Sequence, residues 1–149
     1  MRPVVYSINR AGVEEIGRHL GRCDARFVPV LSGRVEIAPY AEKIWANAVR
    51  FEAWADDELI GLVAAYCNDA QRRASHITSV SVLEEHSGKG IASRLLRNCI
   101  DYAKLEGVGQ ISLEVAAEHR TAVRLYEKCG FSAAGTSGAF LKMERNAQL

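Results

Sequence analysis

Val80 to Leu96 reads VSVLEEHSGKGIASRLL, and this stretch decides the architecture. Val80 and Val82 alternate with Ser79 and Ser81 as in a β-strand, Glu84 to Ser87 make a polar turn, and from Gly88 the period becomes helical. Ala92, Leu95, Leu96, Cys99, Ile100 and Ala103 recur at i, i+3, i+4 and i+7, so a helix is expected from Gly88 to Gly107, with Gly107 as its stop. Its first turn would hold two glycines two residues apart. Glycine lets a backbone come close to a bound group, and the unpaired N–H groups of a helix start, with the dipole behind them, favour an anion. The turn is therefore a candidate phosphate cradle. It is not a Walker loop, because Leu83 stands five residues before Gly88 and Lys89 is followed by Gly90. Nor is it a dinucleotide fingerprint, which would need glycine in place of Ser93.

The strand before the cradle extends over Ser75 to Leu83, its apolar side set by Val80 and Val82. Arg50 to Ala55 and Leu59 to Cys67, with period two around Asp56-Asp57-Glu58, read as an antiparallel hairpin. Val4 to Ile8 reads as a short strand, and Val13, Ile16, Gly17 and Leu20 as a helix ending near Gly21. Cys23 to Gly33 is expected to be loop or irregular helix. Pro39 then opens a second helix with Tyr40, Ala41, Ile44, Trp45 and Ala48 on its apolar face. After the long helix come a strand at Gln110 to Val115, a helix at His119 to Cys129 capped by Gly130, and two short strands around Gly135 and Gly138. This order predicts an α/β (α+β) fold: a mixed, mainly antiparallel central sheet with helices on both faces and one parallel crossover made by the Gly88 helix.

A chain of 149 residues suits one domain spanning 1–149. Net charge is +1 without runs of like sign, which speaks against nucleic acid as a partner. No stretch approaches the roughly 18 to 20 apolar residues of a membrane span, and the first residues lack a signal-peptide core, so a cytoplasmic protein is expected. Cys23, Cys67, Cys99 and Cys129 show no zinc-ligand spacing and read as small buried hydrophobes; no metal is expected.

With its flanking turn, the cradle resembles the pyrophosphate loop of the GNAT superfamily of acyl-CoA-dependent N-acetyltransferases, Arg/Gln-x-x-Gly-x-Gly/Ala. Ser87, Gly90 and Ala92 fall on its places, with Ser87 where the family usually has Arg or Gln. HRTAVRLYEKCGF, His119 to Phe131, is similar to the second family signature, NxxAxxLYxxxGF, with His119 in place of Asn. The resemblance covers about Phe51 to Glu144. It implies acetyl-CoA (coenzyme A) as co-substrate, held by Val80, Val82, Ser87, Gly88, Lys89, Gly90, Ile91, Ala92, Ser93, His119 and Ala122. It also implies that the Val82 N–H donates to the thioester oxygen and that Tyr126 hydrogen-bonds or protonates the departing thiolate. Taken alone, Tyr126 lies on an apolar stripe with Ala122, Leu125 and Cys129 and would be a core residue.

The expected activity is N-acetyl transfer to a small-molecule or peptide amine by direct attack; a homodimer is allowed. A lysine-like amine has a pKa of about 10.4, so a base is required. His76 is one candidate, by its ordinary pKa of about 6.5 and its place at a strand start where some relatives put a histidine; Glu114, in the strand facing the cofactor cleft, is the other. Each also reads as an ordinary solvated strand residue, and the choice stays open. Lys89, Arg94, Arg124 and Lys128 are placed either to meet nucleotide phosphates or to sit on solvated helix faces. Asp24, Arg26 and Tyr40 are candidates for the acceptor side. The altered positions Ser87 and His119 motivate an alternative, a non-catalytic acyl-CoA-binding or sensor module.

Overall fold

Asp56 and Asp57 both take positive φ, 50° and 62°, closing a two-residue turn between the paired residues Ala55 and Glu58. This backbone matches the twist of an antiparallel pair, and aspartate tolerates it better than most residues. Glu58 therefore starts a strand instead of ending the turn. The computed structural model describes residues 3–69, 71 and 73–148. Its elements are β1 (Val5–Ile8), α1 (Val13–Cys23), α2 (Ile37–Asn47), β2 (Val49–Ala55), β3 (Glu58–Tyr66), β4 (Ala74–Val82), α3 (Ile91–Leu105), β5 (Gln110–Ala116), α4 (Arg120–Lys128), β6 (Ser132–Ser137) and β7 (Phe140–Asn146). Short 3₁₀ turns at Asp24–Arg26 and Leu31–Gly33 fill the irregular segment after α1.

Seven strands form one sheet in the order β1-β2-β3-β4-β5-β7-β6, with only β4 and β5 parallel among the described strands. Alternation along β2 and β3 divides the core. Phe51, Ala53, Ile60 and Val63 join Leu95, Leu96 and Cys99 of α3 on one face, whereas Trp54, Leu62 and Ala64 join Ile16, Leu20 and Ile44 of α1 and α2 on the other. Helices on both faces and a single parallel crossover through α3 agree with the expected architecture.

Four local expectations are corrected. α3 begins at Ile91, not Gly88: Gly88 and Gly90 have φ of +73° and +78°, and a left-handed residue cannot continue a right-handed helix. α2 begins at Ile37, so Pro39 is its third residue, where its missing N–H still falls among the four unpaired amides. Trp45 is 52% exposed, because the buried stripe of α2 runs through Ala41, Ile44 and Ala48. In β4, Ala64 pairs with Ser79 but Ala65 with Ile77, leaving Thr78 as the extra residue of a bulge. The bulge breaks the simple alternation and puts Ile77 with the half-buried Val80 and Val82 on the α3 face, and Ser81 against α1.

A buried polar network went unforeseen in the sequence. Fully buried Glu52 accepts from the amides of Arg10 (2.8 Å) and Ala11 (3.0 Å), from Ser7 Oγ (3.0 Å) and from Trp54 Nε1 (3.3 Å), and sits 3.4 Å from Arg50 Nε. Burial pushes the thiols of Cys23, to about 11, and of Cys99 upward, consistent with inert core cysteines.

Candidate active site

β4 and β5 are paired only where they begin, Ala74 with Gln110, Ser75 with Ile111 and His76 with Ser112. They meet there because residue 109 is glycine: a Cβ would lie 3.0 Å from the Arg73 carbonyl oxygen. Beyond His76 the two strands separate, and the sheet opens into a cleft of about 700 Å³. Its wall comes from β4 (76–82), β5 (113–116), the 86–93 turn, α4 and the segment between α1 and α2.

The split leaves backbone groups without a neighbouring strand. Leu83 N–H bonds Ile60 O at 2.9 Å, and Gly61 pairs with Val82 in the same register. Amides alternate sides along a strand, so the N–H groups of Val82 and Val80 point away from β3 toward the cleft. At the cradle the first intrahelical bond runs from Arg94 N–H to Gly90 O, 3.0 Å, which leaves the amides of Ile91, Ala92 and Ser93 at the free helix start. A Cβ at Gly88 or Gly90 would meet no protein atom within 4 Å. These glycines thus answer to backbone conformation and to the open space in front of them, not to internal packing. Behind them α3 lies tight on the sheet: a Cβ at Gly61 would stand 2.9 Å from Ile91 Cγ2 and 3.1 Å from Leu95 Cδ1.

Ser87 Oγ donates to Glu84 O at 2.7 Å, so its hydroxyl holds the turn. Val80, Val82, Ser87, Gly88, Gly90, Ile91, Ala92, Ser93, His119, Ala122, Tyr126, His76 and Glu114 all line the cleft, whereas the exposed Lys89 stands outside its wall. Arg94 lies over the Tyr6 ring, 4.7 Å from its centroid, and Arg124 and Lys128 are exposed outside the wall. Tyr126 is buried edge-on to Phe131 at 6.2 Å, and burial pushes its hydroxyl well above the usual phenol range. It is at once a core residue and part of the cleft.

His76 Nδ1 lies 3.0 Å from Ser112 Oγ. Burial lowers its pKa, partly offset by Glu114, two residues along β5 from Ser112. The two candidate bases are thus brought to one place. They also line a second, smaller cavity with Lys142, the cross-strand partner of Glu114.

On the α1–α2 side, Tyr40 donates to the bulged Thr78 carbonyl at 2.8 Å, fixing the strand where it turns into the cleft. Arg26 lines this end, but Asp24 does not; its carboxylate accepts from Ser32 N–H at 2.7 Å and holds its own loop. Phe27, Leu31, Arg34, Val35 and Phe140 complete the wall and were not singled out from the sequence. The only local signal is the apolar character of Phe27, Leu31 and Val35 between α1 and α2.

A family model for acetyltransferases of the GNAT family matches residues 21–131, about three quarters of the chain. The chain belongs to the GNAT family. It is similar to spermidine N(1)-acetyltransferase of Vibrio cholerae, 37% identical over 78 residues, 52% of this chain and 44% of the relative. It is also similar to streptothricin acetyltransferase of Streptomyces lavendulae, 33% identical over 85 residues, 57% of this chain and 44% of the relative. The chain thus spans less than half the length of each. A crystal structure of the PaiA N-acetyltransferase of Thermoplasma acidophilum in complex with coenzyme A shares the fold, with a TM-score of 0.75 at 18% identity over 95% of this chain and 99% of that one. Among the described residues, no helix is long and apolar enough to cross a membrane, and no group of three His, Cys, Asp or Glu is placed to hold a metal.

Proposed function

We propose that this chain, as a single domain over 1–149, transfers an acetyl or other short acyl group from acetyl-CoA to an amine in the cytoplasm. The observation that carries this is the split between β4 and β5, which joins a glycine-built anion cradle to outward-pointing strand amides in one cleft. Pyrophosphate of the co-substrate lies against the amides of Gly88 to Ser93, and the pantetheine arm runs along β4 past Val80, with His119 and Ala122 on its other side. The thioester oxygen faces the Val82 N–H.

The neutral amine attacks the thioester carbon. A C–N bond forms, the C–S bond breaks, and the electron pair of that bond leaves on the coenzyme sulfur. His76 takes the proton released by nitrogen, with Glu114 beside it to stabilise the imidazolium. The raised pKa of Tyr126 keeps its proton in place at neutral pH, suiting it to hydrogen-bond the departing thiolate. A free thiol has a pKa of about 8.5, so full proton transfer from this phenol is uphill and the thiolate takes its proton from solvent on release.

Gly90→Val tests the cradle. A β-branched residue at φ +78° is strained, and its side chain would occupy the space needed by pyrophosphate. The folded variant is expected to lose acetyl-CoA binding in calorimetry and thiol release with amines, while wild type shows both. Unchanged coenzyme affinity in a folded Gly90→Val protein would defeat the assignment; wild-type binding without turnover on any amine would favour a sensor.

A further inference from the structure

The end of the cleft facing the α1–α2 segment carries charge that acyl transfer does not use. Arg26 and Arg34 both line it. Three other arginines are matched to acids, Arg10 to Asp57, Arg22 to Glu58 and Glu85, and Arg50 to Glu52. Among the described residues no carboxylate is within salt-bridge distance of Arg26 or Arg34. Arg34 is carried over the Phe140 ring, 5.2 Å from its centroid, a contact that ties it to the start of β7. Glu114 is the only carboxylate in the wall among the described residues. Around these polar groups the surface is apolar, from Phe27, Leu31 and Val35.

We propose that the acceptor is an amine that also bears a carboxylate, an amino acid with an apolar side chain. This rests on the acyl-transfer function proposed above. The carboxylate meets the guanidinium groups of Arg26 and Arg34, the side chain covers the apolar wall, and the amine is left toward His76 and Glu114. Guanidinium and carboxylate match in shape as well as charge, so the preference is directional. A polyamine would bring several positive charges to a wall with two arginines and one acid.

The test measures thiol release from acetyl-CoA with L-leucine, L-methionine and L-phenylalanine, each beside its α-amide and its decarboxylated amine, and with spermidine. Calorimetry on coenzyme-A-saturated protein reads acceptor binding without turnover. The acids are expected to exceed the amides by about tenfold or more in kcat/KM, the scale of a charge-assisted hydrogen bond. Arg34→Gln and Arg26→Gln should each raise KM for the acid and erase part of that preference, with KM for acetyl-CoA unmoved. Equal use of amides, preference for spermidine, or an effect of the arginine variants on acetyl-CoA instead of the acceptor would overturn the proposal. So would firm coenzyme binding with no amino acid either bound or acetylated. Absence of coenzyme binding would instead defeat the acyl-transfer function itself.

Discussion

His76 sits at the last residue pair before β4 and β5 part, with Ser112 3.0 Å from Nδ1, and so faces both the cleft and the smaller cavity behind it. Burial keeps from its half-buried ring water that would stabilise the imidazolium, and its pKa is lowered from 6.5 for that reason. The imidazole is therefore neutral, and able to accept a proton, at pH 7. As pH falls through the lowered pKa the base is protonated and activity is lost; raising the pH restores it. The expected profile of kcat/KM has an acid limb below 6.5, distinct from the rise at higher pH as the amine itself deprotonates. His76→Gln should lower turnover by about 10²-fold, the low end for general base catalysis, and remove that limb. If the limb persists in His76→Gln, the proton goes elsewhere, and Glu114→Gln, measured in parallel, shows whether that carboxylate receives it. In sequence, His76 and Glu114 were separate candidates; strand pairing, which sequence spacing does not express, makes them neighbours.

At the scale of elements, the position of α3 decides whether the cradle works, and Gly61 decides the position of α3. A Cβ there would crowd Ile91 at 2.9 Å, Leu95 at 3.1 Å and Ala53 at 3.3 Å, all packed side chains of the core rather than flexible tips. Gly61→Val is therefore expected to push the first turn of α3 off the sheet. Stability should fall by about 1–3 kcal/mol, the usual cost of overpacking, and acetyl-CoA affinity should fall with it because the amides of Ile91 to Ser93 move. Urea unfolding and calorimetry read the two effects; full affinity alongside lost stability would show that the cradle does not depend on this contact. The strand order, the hairpin and the crossover were legible because periods of 2 and 3.6 report directly on burial. Three features were not. The bulge at Thr78 depends on pairing with β3, the meeting of β4 with β5 at their start depends on a close approach at Gly109, and the fit of Gly61 under α3 depends on two elements at once. The helix start is hidden for a related reason: glycine spacing marks the turn, but positive φ at Gly88 and Gly90 keeps both residues ahead of the helix.

For the molecule as a whole, the edge of the sheet farthest from the cleft is tied to α1 and α2 by charge as well as by apolar contact. Glu52 is buried beneath the β1–α1 connection, accepting from Arg10, Ala11, Ser7 and Trp54, while Arg50 donates onward to the carbonyls of Trp45 (3.0 Å) and Ala11 (3.1 Å). One carboxylate and one guanidinium thus satisfy the Ser7 hydroxyl of β1 and backbone groups from the entry to α1 and the end of α2. Such a pair is weak evidence for net stability, but removing one member is expensive because the other remains charged and buried. Glu52→Ala should cost about 3–5 kcal/mol, a large share of the 5–15 kcal/mol typical of a domain, and bring the protein close to its unfolding threshold at 37 °C. Glu52→Gln keeps one acceptor oxygen, enough for the Arg10 or the Ala11 amide but not both, and should lose less. Neither Glu52 nor Arg50 lines the cleft, so folded Glu52→Gln protein at low temperature should bind acetyl-CoA with wild-type affinity. A urea midpoint unchanged in Glu52→Ala would mean that solvent or a rearranged loop satisfies these amides; a loss of coenzyme affinity in stably folded Glu52→Gln would mean that this edge of the sheet is coupled to the split between β4 and β5.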